Sequence, residues 1–162
     1  MKAIKNQFPK FPIPSLPFTF VPTYDIDIAF AYKHHSPIKN ALGFLKDIVQ
    51  LNSDKALERL MVYANKSKDP FDTFDWLHQQ HQQYQLKPLY FFLLAAKRKS
   101  YDKNLSPTTK AMKLLIRQHA QLYKVGIHPS WQSGDDESLV KQEINILQQA
   151  GLEYTNFHNN SC

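Results

Sequence analysis

The sequence predicts an α/β fold built around a parallel sheet, on the basis of three observations. Short segments rich in aromatic and β-branched residues alternate with longer segments whose apolar residues recur at helical spacing. The segment 87–96, KPLYFFLLAA, is a continuous apolar run of strand length, which is typical of a buried strand in a parallel sheet. The predicted order is strand, three helices, strand, helix, strand, helix. Helices between strands supply the crossover connections that parallel strands need.

The first strand is predicted at 18–27, FTFVPTYDID, with Pro22 indicating a bulge or a sheet edge. Two amphipathic helices are predicted next, the first carrying Ile38, Ala41, Leu42, Leu45, Ile48 and Val49 and the second carrying Leu57, Leu60, Met61 and Ala64. The third helix is predicted to have Asp72 as N-cap and to end near Leu86. One of its faces carries Phe74, Leu77, His78, His81 and Tyr84.

The second strand, at 87–96, is followed by the loop KRKSYDKNLS and a fourth helix, with Ser106 and Pro107 as expected N-cap and first helical residue. That helix carries Met112, Leu115, Ile116, His119 and Tyr123 on one face. The third strand, YKVGIH, is predicted to end at His128, and the turn PSWQSGDDE leads to a final helix that carries Val140, Ile144 and Leu147. Gly151 is the expected C′ residue of this last helix.

Length and composition limit the classes of protein to consider. The chain of 162 residues, 43% of them hydrophobic, suits one globular domain. Its formal charge of +6 comes mostly from lysines spread along the chain, so a nucleic-acid partner is not expected. The single cysteine, Cys162, excludes an intrachain disulfide and a cysteine-based metal site.

The sequence also bears on localisation and on domain boundaries. No apolar run reaches the roughly 18 residues of a membrane-spanning helix, and prolines interrupt the N-terminal segment where a signal peptide needs a continuous apolar run. We therefore expect a cytoplasmic chain without a membrane partner. The predicted organisation is a Pro-rich N-terminal segment at 1–17, one domain at 18–151 and an unstructured tail at 152–162.

Polar side chains lie at the ends of two predicted strands. Asp25 and Asp27 point to the same side of the first strand because side chains alternate, and His128 ends the third. Parallel α/β folds have their sites at the carboxyl ends of the strands, so these three side chains are expected to meet at one rim. There the two carboxylates either face water or share a cation.

The Asp-x-Asp of the first strand and the later Gly-x-His, Gly126 to His128, resemble the first two motifs of the NodB-homology polysaccharide deacetylases. The chain also resembles a branch of polysaccharide-deacetylase-like proteins found in bacteria. Five segments carry this resemblance: PTYDIDIAFAYK, DPFDTFDWL, FFLL, YDKNLSP and VGIHPSW. The resemblance spans about 22 to 145 and implies a (β/α) barrel. Because three strands are too few to close a barrel, we expect the N-terminal part of one, incomplete at the C-terminus.

The resemblance implies metal-dependent hydrolysis of N- or O-acetyl groups on a carbohydrate substrate. By position, Asp25 would be the general base, and Asp27 and His128 would bind a divalent metal, most simply Zn²⁺. The family usually has a further histidine four residues after the first, where this chain has Gln132, whose amide oxygen is a poorer zinc ligand. The later family motifs would fall beyond residue 150, so the active site is expected to be incomplete.

Several alternatives stay open at this stage. Alternatively, the aspartates are solvated or cap nearby backbone amides, and His128 is a turn residue. His34 or His35 could replace the missing ligand, because both follow the first strand. Trp131 could stack on a sugar or cover the barrel mouth, while Asp102 could fix its loop or contact substrate.

Three further histidines lie on predicted helix faces. His78, His81 and His119 share those faces with apolar residues, so a core role is favoured over metal binding. The competing function is a non-catalytic carbohydrate-binding or structural relative that has lost its metal site. An open three-stranded sheet would also leave unpaired edges, which predicts self-association.

Overall fold

The computed structural model describes residues 7–8, 18–95 and 101–158, and these form a mixed α/β structure. Strands β1 (Thr23–Ile26), β2 (Leu89–Leu93) and β3 (Lys124–His128) make one parallel sheet in the order β1-β2-β3. The α-helices are α1 (Pro37–Val49), α2 (Ser53–Tyr63), α3 (Phe74–Gln83), α4 (Lys110–Leu122) and α5 (Glu137–His158), with a 3₁₀ helix at Trp131–Asp135. The predicted class and the order of elements are confirmed.

Strand register divides the sheet into two faces with different surroundings. Tyr90 and Phe92 of β2 are buried on one face, in the core that α4 and α5 complete with Met112, Leu115, Ile116 and Ala150. Asp25, Phe91 and Gly126 are aligned across the three strands on the opposite face. Phe91 and Leu89 are only partly buried there. Leu93, which points to the same side, is buried, so this opposite face is covered only in part.

The strands are shorter than predicted. β1 does not include residues 18–22, where Pro22 lacks an N–H for the ladder and contributes only its carbonyl, which accepts the N–H of Leu89 at 3.0 Å. β2 covers Leu89–Leu93 rather than 87–96, and residue 96 lies outside the described residues.

Three helix boundaries also differ from the prediction. Asp72 belongs to the turn before α3, donating its N–H to the Asp69 carbonyl, so the N-cap is Thr73. Thr109, not Ser106, caps α4, because its hydroxyl accepts the Met112 N–H. α5 continues through Gly151 to His158, into the segment predicted to be an unstructured tail, while 159–162 lie outside the described residues. Glycine disfavours a helix interior by about 1 kcal/mol relative to alanine, too little to end a helix by itself.

The predicted N-terminal segment, 1–17, lies outside the described residues except for 7 and 8. Over the described part of the chain, none of the helices has the length and apolar character needed to cross a membrane.

Candidate functional site

Asp25, Asp27 and His128 lie together at the carboxyl end of the sheet. The Nε2 atom of His128 is 3.9 Å from Asp25 Oδ2 and 4.0 Å from Asp27 Oδ1. The register explains this proximity, since His128 pairs with Leu93 and Asp27 directly follows Ile26, the partner of Phe92. The three side chains are partly exposed, so a ligand can reach them from solvent.

The loop that follows β1 is fixed by one buried carboxylate, that of Asp69. Asp69 Oδ1 accepts the N–H groups of Ala31 and Phe71, and Oδ2 accepts those of Tyr32 and Lys33, at 2.8 to 3.0 Å. Burial alone would raise the pKa of this carboxyl, but the four backbone donors outweigh it and hold the pKa below its usual range. Asp69 thus fixes the position of residues 31–33, which follow Asp25 and Asp27 in the chain.

The segment after β3 brings an aromatic residue to the same rim. Pro129 favours an extended conformation at His128, and the Ser130 hydroxyl caps the 3₁₀ helix by accepting the Ser133 N–H at 3.3 Å. The ring of Trp131 lies against that of Tyr101, with centroids 5.0 Å apart and planes at 32°. Both rings are mostly exposed, so they present a broad apolar surface to solvent.

An open cavity of about 500 Å³ connects these parts. Its walls include Asp27 and His128 from the strand ends and Tyr101, Asp102, Lys103 and Trp131 from the loops. Aromatic surface next to a few convergent polar groups is typical of a small-molecule binding site.

Two buried polar atoms in the residues that line the cavity have no hydrogen-bond partner among the described residues. They are Asp102 Oδ2 and His128 Nδ1. The other carboxylate oxygen of Asp102 accepts the Trp131 N–H at 3.2 Å, so this side chain joins two loops. Buried polar atoms in native proteins normally have a partner, so water or a ligand is expected at both positions.

The cavity offers two donors for a divalent cation. Asp27 Oδ1 and His128 Nε2 are 4.0 Å apart, whereas two ligands of one tetrahedral Zn²⁺, each at about 2.0–2.1 Å, lie roughly 3.3–3.4 Å from each other, so the two side chains have to move closer to share an ion. Within the described ranges, however, no group of three or more His, Cys, Asp or Glu side chains is arranged to hold a metal ion. Gln132, in the 3₁₀ helix, is not among the residues that line the cavity. The described residues thus supply two candidate ligands rather than a complete zinc centre.

His34 is not part of this cavity. It is exposed, has a φ of 62° and packs its ring edge-on against Phe30, with centroids 4.7 Å apart. The role of alternative ligand therefore has no support from its position. Tyr101, by contrast, was not among the predicted site residues, although the signal was available: an aromatic residue directly before Asp102 in a loop on the same rim.

His78, His81 and His119 belong to the packing between α3, α4 and the sheet. His81 and His119 are buried, as the favoured core interpretation predicts. His81 Nε2 lies 3.0 Å from the Tyr24 hydroxyl, His119 Nδ1 donates to the Leu115 carbonyl at 2.8 Å, and His78 is hydrogen-bonded to Tyr123. Burial lowers the pKa of both His81 and His119, which favours their neutral forms.

Comparison with known proteins adds no identification to this geometry. No protein-family model, curated protein or solved structure matches the chain. The functional argument consequently rests on the motifs and on the arrangement of side chains at the rim.

Proposed function

We propose that the chain carries the first part of a metal-dependent carbohydrate deacetylase of the NodB type, which hydrolyses N- or O-acetyl groups. The observation that supports this proposal most directly is the position of His128, whose Nε2 is 3.9 Å from Asp25 and 4.0 Å from Asp27. In the proposed site Asp27 and His128 bind a divalent cation such as Zn²⁺, and Asp25 is the general base.

Each group then has a distinct chemical task. A bound divalent cation would polarise the acetyl carbonyl and make water a better nucleophile. Asp25 accepts the proton of the attacking water, for which its solvent-exposed carboxylate is suited. The Tyr101–Trp131 pair supports the flat face of a sugar ring.

We also propose that the sheet is the beginning of a (β/α) barrel. Two features support this proposal: the strands are parallel with their helices packed on one face, and the face that carries Asp25 and Phe91 is only partly covered. In a (β/α) barrel, that second face of each strand points towards the barrel interior, and the site lies at the carboxyl ends of the strands.

Zinc binding measured by titration calorimetry tests the proposed ligands. We expect binding at micromolar Zn²⁺ that is lost in Asp27→Ala and in His128→Ala. Asp75→Ala is the matched control, because Asp75 is an exposed carboxylate on α3 that pairs with Lys68 outside the cavity. Absence of zinc binding, or binding that ignores both substitutions, would overturn the metal-dependent mechanism.

The role of Asp25 needs a separate measurement. Asp25→Asn keeps the two proposed ligands and removes the base, so we expect zinc affinity close to wild type and no acetate release from an N-acetylated oligosaccharide. Equal acetate release by wild type and Asp25→Asn would exclude Asp25 as the general base.

A second candidate function is carbohydrate binding without catalysis. Two observations favour it. The described residues supply no group of three metal donors, and the exposed rings of Tyr101 and Trp131 lie at the same rim. In that case the oligosaccharide binds without any release of acetate, and Trp131→Ala and Tyr101→Ala weaken its binding while Asp25→Asn does not.

A further inference from the structure

The helical hairpin formed by α1 and α2 has a polar interior. Arg59 of α2 forms an ion pair with Asp47 of α1, Nε to Oδ2 at 3.0 Å, and its Nη1 donates to Asn40 Oδ1 at 3.4 Å. Gly43 makes room for the guanidinium, since a Cβ atom there would lie 2.6 Å from Arg59 Cζ. Polar groups thus occupy part of the contact between α1 and α2, although Ala56 and Val62 of α2 are buried as well.

The outside of the same hairpin is apolar. Ile38, Leu42, Leu45 and Val49 recur every three or four residues, which places them in one stripe along α1, and their exposed fractions are 72%, 65%, 59% and 77%. An amphipathic helix in a globular protein normally turns such a stripe towards the core, so the arrangement here is reversed.

The exposed surface continues onto α2. An open cavity of about 350 Å³ between the helices is lined by Ala41, Phe44, Leu60 and Tyr63, among others. We call the following set the hairpin surface: Ile38, Ala41, Leu42, Leu45, Ile48 and Val49 of α1 with Leu57 and Leu60 of α2. All eight residues are exposed.

We propose that the hairpin surface is a dimerisation surface, which packs on the same surface of a second copy of this chain to form a four-helix arrangement. Ile38, Ala41, Leu45 and Ile48 follow the three-four spacing of a and d positions, so their natural partner is another helix. A twofold interface brings the same patch of both copies together, which requires a self-complementary surface.

Area favours a second copy as the occupant. The exposed Lys39 and Lys46 of α1 lie at the border of the hairpin surface, and the acidic side chain of α1, Asp47, is turned inward to Arg59. Its exposed side chains present on the order of 1,000 Å², against the roughly 800 Å² that each partner buries in a standard interface. The interior of such an interface is depleted in charge, as this surface is.

Sedimentation velocity over micromolar concentrations tests the proposal. We expect wild type to form dimers, and Leu45→Glu and Leu60→Glu each to weaken dimerisation at least tenfold. Leu114→Glu is the matched control, because Leu114 is a half-exposed leucine on α4, outside the hairpin surface, and this variant should dimerise like wild type. Circular dichroism checks that each variant keeps its helices.

A second measurement needs no variant. Amide hydrogen exchange on α1 and α2 of the wild type should slow as the protein concentration rises, while exchange at the outer edges of β1 and β3 stays unchanged. The proposal is overturned if the wild type is monomeric or if the dimer persists in both glutamate variants. It is also overturned if exchange slows only at the strand edges, since that result would assign association to the sheet.

Discussion

At the scale of the single residue, Asp69 is the side chain on which the backbone of the rim depends most. Asp69→Ala leaves four backbone N–H groups without their acceptor. Each buried unsatisfied donor costs about 1–3 kcal/mol, and water will reach some of them, so we expect the free energy of unfolding to fall by roughly 3 kcal/mol. Urea denaturation measures this loss.

The control for Asp69 is another aspartate in the same part of the chain. Asp75 is exposed and pairs with Lys68 at 3.2 Å, so Asp75→Ala should cost less than about 1 kcal/mol. Similar losses in the two variants would contradict the anchoring role of Asp69.

These residues also show where prediction from sequence succeeds. The proximity of Asp25, Asp27 and His128 could be predicted, because strand alternation and parallel pairing determine where strand-end side chains lie. The anchoring role of Asp69 could not be predicted in this way, because its partners at Ala31, Tyr32 and Lys33 are distant in sequence. Contacts between loops depend on the finished fold and leave no periodic pattern in the chain.

At the scale of the element, helix position was easier to predict than helix start or helix orientation. Ser106 and Thr109 both carry the hydroxyl that an N-cap needs, so local chemistry alone does not choose between them. For α1, periodicity correctly predicted an amphipathic helix, but it does not report which side meets the rest of the molecule. That side is set by Arg59, Asp47 and Asn40, a pairing between helices.

The layer between α3, α4 and the sheet predicts a dependence of stability on pH. The polar groups that contact His81 and His119 there are Tyr24 of β1, Tyr90 of β2 and Tyr123, which follows α4, with His78 of α3 adding a repulsive charge when protonated. Burial lowers the pKa of both histidines, so the unfolded chain binds protons more readily than the folded one. Their contribution to stability is therefore complete above the unfolded pKa of about 6.5 and is lost as the pH falls below it.

Thermal unfolding followed across this pH range measures the effect. We expect the melting temperature to decrease below about pH 6.5, and to decrease less steeply in His119→Gln, which has one titrating group fewer. The slope is the relevant quantity, because the substitution also changes packing and so the absolute melting temperature. A wild-type melting temperature that does not change with pH would contradict this account.

At the scale of the whole molecule, the hairpin and the sheet layer are packed separately. α1 and α2 make their extensive contacts with each other, whereas the sheet packs with α4 and α5. The two parts are joined through the loop that Asp69 holds and through Tyr32, whose hydroxyl donates to Glu58 at 2.8 Å and whose ring lies 4.6 Å from Arg59 Cζ. Because only a few links of this kind join the two parts, one part can open while the other stays folded.

Native-state hydrogen exchange at low protein concentration, where a dimer dissociates, distinguishes the two parts. Amides of α1 and α2 should exchange through local opening, with a lower free energy than the amides of β2, whose exchange requires the core around Tyr90 and Phe92 to unfold. Asp69→Ala should lower the opening free energy of the hairpin further, because it removes the clamp on 31–33. Uniform protection across hairpin and sheet would mean that the polar interior of the hairpin and the apolar core of the sheet layer unfold as one cooperative unit.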